Sequence, residues 1–164
     1  MLICFALSKC SAQTRLMPGI LKGKHDTFVV EKLKLADSLI VVYSKGNKYV
    51  NGLPRPKVPH FLPMGRFDVH VDNNAIKQLI YSALKTKLAD LKKNKESIIT
   101  NFDFYPNGQI SDISFGLHEN TLVTLQDIED IDQKLRVTVK ATFTGKAYLQ
   151  YEAIYYSQSP TIVF

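Results

Sequence analysis

The sequence predicts an α+β protein: an antiparallel sheet with two main helices. Three observations carry that prediction. Alternating runs rich in β-branched and aromatic residues recur along the chain. Two segments place apolar residues at helical spacing. Finally, "NFDFYPNGQISDISF", Asn101 to Phe115, sets a turn between two alternating runs. The 164 residues, 45% hydrophobic and 22% charged, are enough for one sizeable core and unlike a disordered chain. The net charge of +6 is unevenly spread. Residues 1–100 hold 17 Lys and Arg against 7 acids, giving +10, and residues 101–164 hold 4 against 8, giving −4. Such asymmetry marks either a basic surface for anionic partners or two faces of one molecule that attract each other.

The start, "MLICFALSKCSAQ", runs apolar from Met1 to Leu7 and then turns small and polar, the pattern of the back half of a secretory signal peptide. Residues 1–12 are expected to be that leader, with cleavage after Ala12, although no basic region precedes the run. Both cysteines, Cys4 and Cys10, lie inside it, so the exported chain would carry no disulfide. A lipid anchor on Cys10 is disfavoured by Lys9, which stands where a small residue is wanted. The expected location is the periplasm or the outer-membrane periphery.

Residues 13–26 carry Pro18, Gly19 and Gly23 among mixed charges and are expected to form an irregular arm. In the next region, 27–96, Phe28 to Leu33 and Ser38 to Tyr43 read as strands. A Gly-Asn turn signal then predicts a hairpin over Leu39 to Val50. Pro54, Pro56, Pro59 and Pro63 exclude a regular element and predict a rigid connecting loop. "RFDVHV" alternates, with Phe67, Val69 and Val71 on one side and Asp68 and His70 on the other. Asp72, Asn73 and Asn74 are N-cap candidates for the helix that follows. Its apolar stripe is Ile76, Leu79, Ile80, Ala83, Leu84, Leu88 and Leu91, and its polar face is rich in lysine.

In the last region, 97–164, "PNG" lets Asn107 and Gly108 take positive φ, as a tight primed turn requires. The spacing of Ile110 and Ile113 breaks alternation and predicts a bulge. Thr124 and Asp127 form a capping box ahead of Leu125, Ile128, Ile131 and Leu135, which define a short acidic helix. Leu135 to Phe143 and Ala147 to Tyr156 alternate and read as strands, with a short final one at Thr161 to Phe164. This strand, turn, strand, helix, strand order, with "NFDFYPNGQISDISF" at its head and "PTIVF" at its end, resembles the C-terminal domain of the TonB energy-transducer family. The resemblance covers Ser97 to Phe164. It implies that unit's fold and a mode of binding in which a sheet edge pairs with an extended peptide. The family's tryptophan, its Pro-Gly pair and its long proline-rich spacer are absent, so the chain is not expected to span the periplasm as a transducer does, and the resemblance implies fold before function.

The residues that carry chemistry form no catalytic constellation. His25, His60, His70 and His118 never fall three or four residues apart, so zinc is not signalled. No Gly-x-Ser-x-Gly elbow and no glycine-rich phosphate loop occurs. Asp103 and Asp112 can face each other across the hairpin, where cross-strand acids on a solvated face are the ordinary reading. Asp127, Glu129, Asp130 and Asp132 lack the glycine and spacing of a calcium loop and suit a helix N-terminus instead. The sequence therefore points to a non-enzymatic envelope interaction module, with no cofactor and no metal. Its expected partner is an envelope protein or peptide, met at an edge formed by Tyr148, Tyr151 and Tyr155. The alternative is a cytoplasmic basic protein that contacts nucleic acid or another anionic surface through Lys85, Lys87, Lys92, Lys93 and Lys95.

Overall fold

The computed structural model describes residues 15–33, 38–48, 56–156 and 158–164. The expected leader and Cys10 lie outside the described residues, as do Tyr49 to Arg55, the end of the expected hairpin. Nine strands are described: β1 (Gly19–Lys22), β2 (Thr27–Lys32), β3 (Leu39–Ser44), β4 (Val69–His70), β5 (Ser97–Phe104), β6 (Ile110–His118), β7 (Thr142–Phe143), β8 (Ile154–Tyr156) and β9 (Thr161–Val163). The helices are α1 (Asn73–Ala83), α2 (Leu88–Lys93) and α3 (Leu125–Thr138). One antiparallel sheet runs β1-β2-β3-β6-β5, and β8 and β9 then pair with the two ends of β5. β4 and β7 form a separate two-stranded ribbon. The pairing of β3 with β6 joins the N-terminal strands to the C-terminal unit in one sheet.

Alternation decides the layers. Ile98, Thr100, Phe102 and Phe104 of β5 and Ile113, Phe115 and Leu117 of β6 are buried in one core with Ile76 and Ile80 of α1 and Ile128 and Ile131 of α3. Thus the helices cover one face of the sheet. On the other face Ile99, Asn101 and Ser114 stay half-buried.

Local signals place the caps as expected. The Asp72 side chain accepts from the N–H of Ala75, and Thr124 and Asp127 form a reciprocal box. The bulge falls between Asp103 and Phe104 and the residues opposite them. The turn differs from the expected primed form. Gly108 donates to the Tyr105 carbonyl, Tyr105 donates to that of Gln109, and only Gly108 has positive φ, +81°. This is the geometry of a three-residue loop closed by a left-handed glycine. A Cβ at Gly108 would lie 2.2 Å from the Ala141 carbonyl oxygen, because the chain after α3 docks on this turn.

Several expectations are corrected by long-range contacts. The arm expected at 13–26 contains β1, paired with β2 along its full length. The single long helix is two, α1 and α2, separated by a turn at Leu84 to Lys87. There the Lys87 ammonium is held 2.6 Å from Asp127 and 3.2 Å from the Leu122 carbonyl. Leu135 to Thr138 continue α3, since Leu135 extends the buried stripe, while Val137, which an alternating strand would turn inward, is 82% exposed. Residues 147–150 form a 3-10 turn, not a strand, with Tyr148 stacked on Phe143 at 4.9 Å. Arg66–Asp68 likewise form a 3-10 turn that leaves Phe67 65% exposed.

Candidate interaction groove at the sheet edge

The groove begins with the proline-rich loop. Prolines at 56, 59 and 63 keep the loop from joining the sheet, yet it lies against the chain that leads into β8. Pro56 bridges Tyr151, Lys57 donates its N–H to the Gln150 carbonyl at 2.7 Å, and Leu62 donates to the Gln150 side chain at 2.9 Å. The Tyr151 hydroxyl donates to the Leu62 carbonyl at 3.1 Å, and the Phe61 ring meets the Tyr151 ring edge-on at 5.6 Å. Between this loop and β8 lies an open groove of about 210 Å³. Met64, Arg66 and Val69 form one side; Tyr151, Ile154 and Tyr155 form the other.

Charge enters at one point. The Arg66 guanidinium sits 4.5 Å from the centre of the Phe67 ring, a cation–π contact that orients it. No carboxylate pairs with it among the described residues. The turn beneath it is fixed by Asp68, which accepts from the Gly65 N–H at 2.6 Å. On the sheet side, β8 pairs only with β5 among the described residues, so its outer backbone groups face away from the sheet.

Of the three tyrosines singled out in the sequence, Tyr155 presents a free surface here, at 36% exposed. Tyr151 is buried and serves as a wall, with its hydroxyl already used. Tyr148 is half-buried in its stack with Phe143. The three therefore do not form one contact edge, because the 3-10 turn at 147–150 breaks the alternation that would align them. Of the five lysines, Lys85, Lys92, Lys93 and Lys95 are exposed, while Lys87 is held by Asp127 and Leu122. The groove's Met64 and Arg66, and Phe61 and Leu62 on the loop that borders it, carried no role in the sequence reading. The available signal was "HFLPMGRF": large apolar residues in a segment whose prolines keep it out of the core.

The acidic residues separate into distinct roles. Glu129 accepts three backbone N–H groups, from Lys24 at 2.9 Å, His25 at 2.6 Å and Asp26 at 3.0 Å. Burial alone would raise its carboxyl; the three donors hold it below the usual range. Asp132 is raised by burial, an effect that the Arg136 guanidinium, 2.8 Å away, only partly offsets. Asp103 and Asp112 are directly opposed on β5 and β6, yet they do not lie on a solvated face: they are 8% and 5% exposed. Burial and then the Asp112 charge push the Asp103 carboxyl up to about 7. His70 contacts the Thr144 hydroxyl at 2.7 Å, and His25, His60 and His118 are exposed. No helix of the described residues is long and apolar enough to cross a membrane.

Comparison with known proteins gives a fold. No family model matches the chain, and no curated protein matches it. Among solved structures, it is similar to a DUF5043 family protein from Bacteroides uniformis ATCC 8492, with a TM-score of 0.70 and 14% identity. The alignment covers 94% of this chain and 88% of that one. At that identity the likeness establishes the α+β architecture alone. It spans the N-terminal strands as well as the unit from Ser97 to Phe164.

Proposed function

We propose that this protein is a non-enzymatic envelope module that binds an extended peptide in the groove beside β8. One observation carries the reading. Of the twelve exposed large hydrophobic side chains among the described residues, six (Val58, Phe61, Leu62, Phe67, Leu149 and Tyr155) lie on two segments, 58–67 and 149–155, that are bonded to each other and supply most of the groove's lining, Tyr155 being itself a lining residue. Apolar side chains concentrated beside an unpaired strand edge suit a partner that adds backbone bonds to the strand and inserts apolar residues. Arg66, oriented and without a carboxylate partner among the described residues, adds a preference for an acidic group on that peptide. The expected placement in the envelope rests on the apolar N-terminal run and on the strand, turn, strand, helix, strand order shared with TonB C-terminal domains.

Selection from a random peptide library on the immobilised protein tests this reading. The expected ligands are extended and apolar with one Asp or Glu, and Tyr155→Ala and Phe67→Ala each weaken them about tenfold. Arg66→Gln should select peptides without the acid. Failure to enrich any sequence, or enrichment that these changes leave intact, refutes the groove as the binding site.

A further inference from the structure

The outer face of the sheet carries a second feature, independent of the groove. Registered pairs share a face of a sheet. Asp103 stands opposite Asp112, and two residues along, Asn101 stands opposite Ser114. These four side chains form a compact polar array. The Asn101 amide nitrogen lies 3.4 Å from the Ser114 hydroxyl. Tyr155 of β8 registers against Asp103 on one side, and Tyr43 of β3 registers against Ser114 on the other. The loop after β3 folds over the end of the array: the Asn47 side chain donates to the Ile113 carbonyl at 2.8 Å, and the Lys48 N–H lies 3.2 Å from both Asp112 oxygens.

Asp103 presents an oxygen that no described residue satisfies. Asp103 is 92% buried, and its Oδ1 has no hydrogen-bond donor among the described residues. No ammonium or guanidinium pairs with Asp103 among the described residues. Two opposed carboxylates out of water repel each other; Asp112 is bonded to the loop after β3, whereas Asp103 gains no such bond at its Oδ1 from any described residue. Carboxylate, amide and hydroxyl oxygens together are the donor set of a hard cation, which would join the two carboxylates and supply the missing partner.

We propose that Asp103 and Asp112, with Asn101 and Ser114 beside them, form an oxygen-ligand site for one divalent cation of the calcium class. The two carboxylates supply the charge and the neutral pair supplies further oxygens, with water completing the shell. With only two carboxylates, the site has the weak affinity of calcium modules outside the cell, with a dissociation constant on the order of 0.1–1 mM.

The test uses the full protein and the metal alone. Calcium chloride titrated into chelator-treated protein is followed by calorimetry and by the melting temperature, with magnesium and manganese in parallel. One saturable site and a raised melting temperature are expected. Asp103→Asn and Asp112→Asn should each lose at least about tenfold in affinity, whereas Asp90→Asn, on the exposed face of α2, should not. Manganese bound to the unaltered protein gives a reading that no variant's folding can obscure. It should broaden the amide resonances of Asn101, Asp103, Asp112 and Ser114 first. Broadening that begins instead at Asp127 to Asp132, binding unchanged in Asp103→Asn, or no binding by any of the three cations up to about 10 mM overturns the proposal.

Discussion

The two edges of the sheet are closed by different physics. At the β1 edge, a single carboxylate from α3 reaches across to the β1–β2 turn, where Glu129 takes the N–H groups of Lys24, His25 and Asp26. A bridge between Arg15 and Thr124, and an Arg15 bond to Asn120, tie the preceding chain to the same region. Charge-assisted bonds to backbone donors are strong and specific, and here they fix the β1–β2 turn to α3. At the β8 edge, the covering loop is held by a few bonds around Gln150 and Tyr151, and Leu62 and Phe67 remain 65% exposed. The contrast is between a polar clamp on the turn beside one edge strand and an apolar overlay on the chain leading into the other.

The sharpest break of this comparison is Glu129→Ala. It removes three charge-assisted bonds at once and should destabilise the fold by about 3 kcal/mol, read by chemical denaturation. Peptide binding at the other edge should persist in the folded fraction. Glu129→Gln sharpens the point through pH. Because the folded-state carboxyl lies below its unfolded value, its contribution is present above the unfolded pKa and is lost as pH falls through the folded one. The unaltered protein should therefore lose stability on acidification more steeply than the Gln variant; parallel curves would show that the clamp does not depend on charge.

Gly23→Ala acts on the same clamp from the other side. A Cβ there meets Glu129 Oε1 at 2.7 Å and the Asp26 carbonyl at 3.0 Å, so the turn or the carboxylate must shift. A loss of about 1–2 kcal/mol is expected, together with faster amide exchange at Lys24 to Asp26. Phe67→Ala should have the smallest effect on the fold, within about 0.5 kcal/mol, because its ring is mostly in solvent. A larger loss would mean that the loop is part of the core's support, and the contrast between the edges would fail.

What could be read from the sequence was local. Asp72, Thr124 and Asp127 cap helices through bonds spanning three residues, and the 101–115 hairpin is set by a turn and by alternation within one stretch. The opposition of Asp103 and Asp112 was readable for the same reason; their burial was not, because it depends on the loop after β3 and on β8. Residues 135–138 and 147–150 alternated over too few positions for strand and helix to be told apart, and distant partners decided them. In the acidic helix the charges were visible, but their separate uses were not. Asp127 caps the helix and holds Lys87, Glu129 clamps a turn more than 100 residues away, and Asp132 pairs with Arg136.

By itself, then, the sequence determined the α+β class, the caps, the bulged hairpin and the faces of the main strands, because propensity, capping and period act over a few residues. Only the tertiary structure decided that the N-terminal strands join the C-terminal sheet through β3 and β6. It also decided that the proline loop forms a groove with β8 and that two aspartates share a buried position. Each of these rests on contacts between segments tens of residues apart, where the free energy depends on which surfaces meet and how much water they exclude.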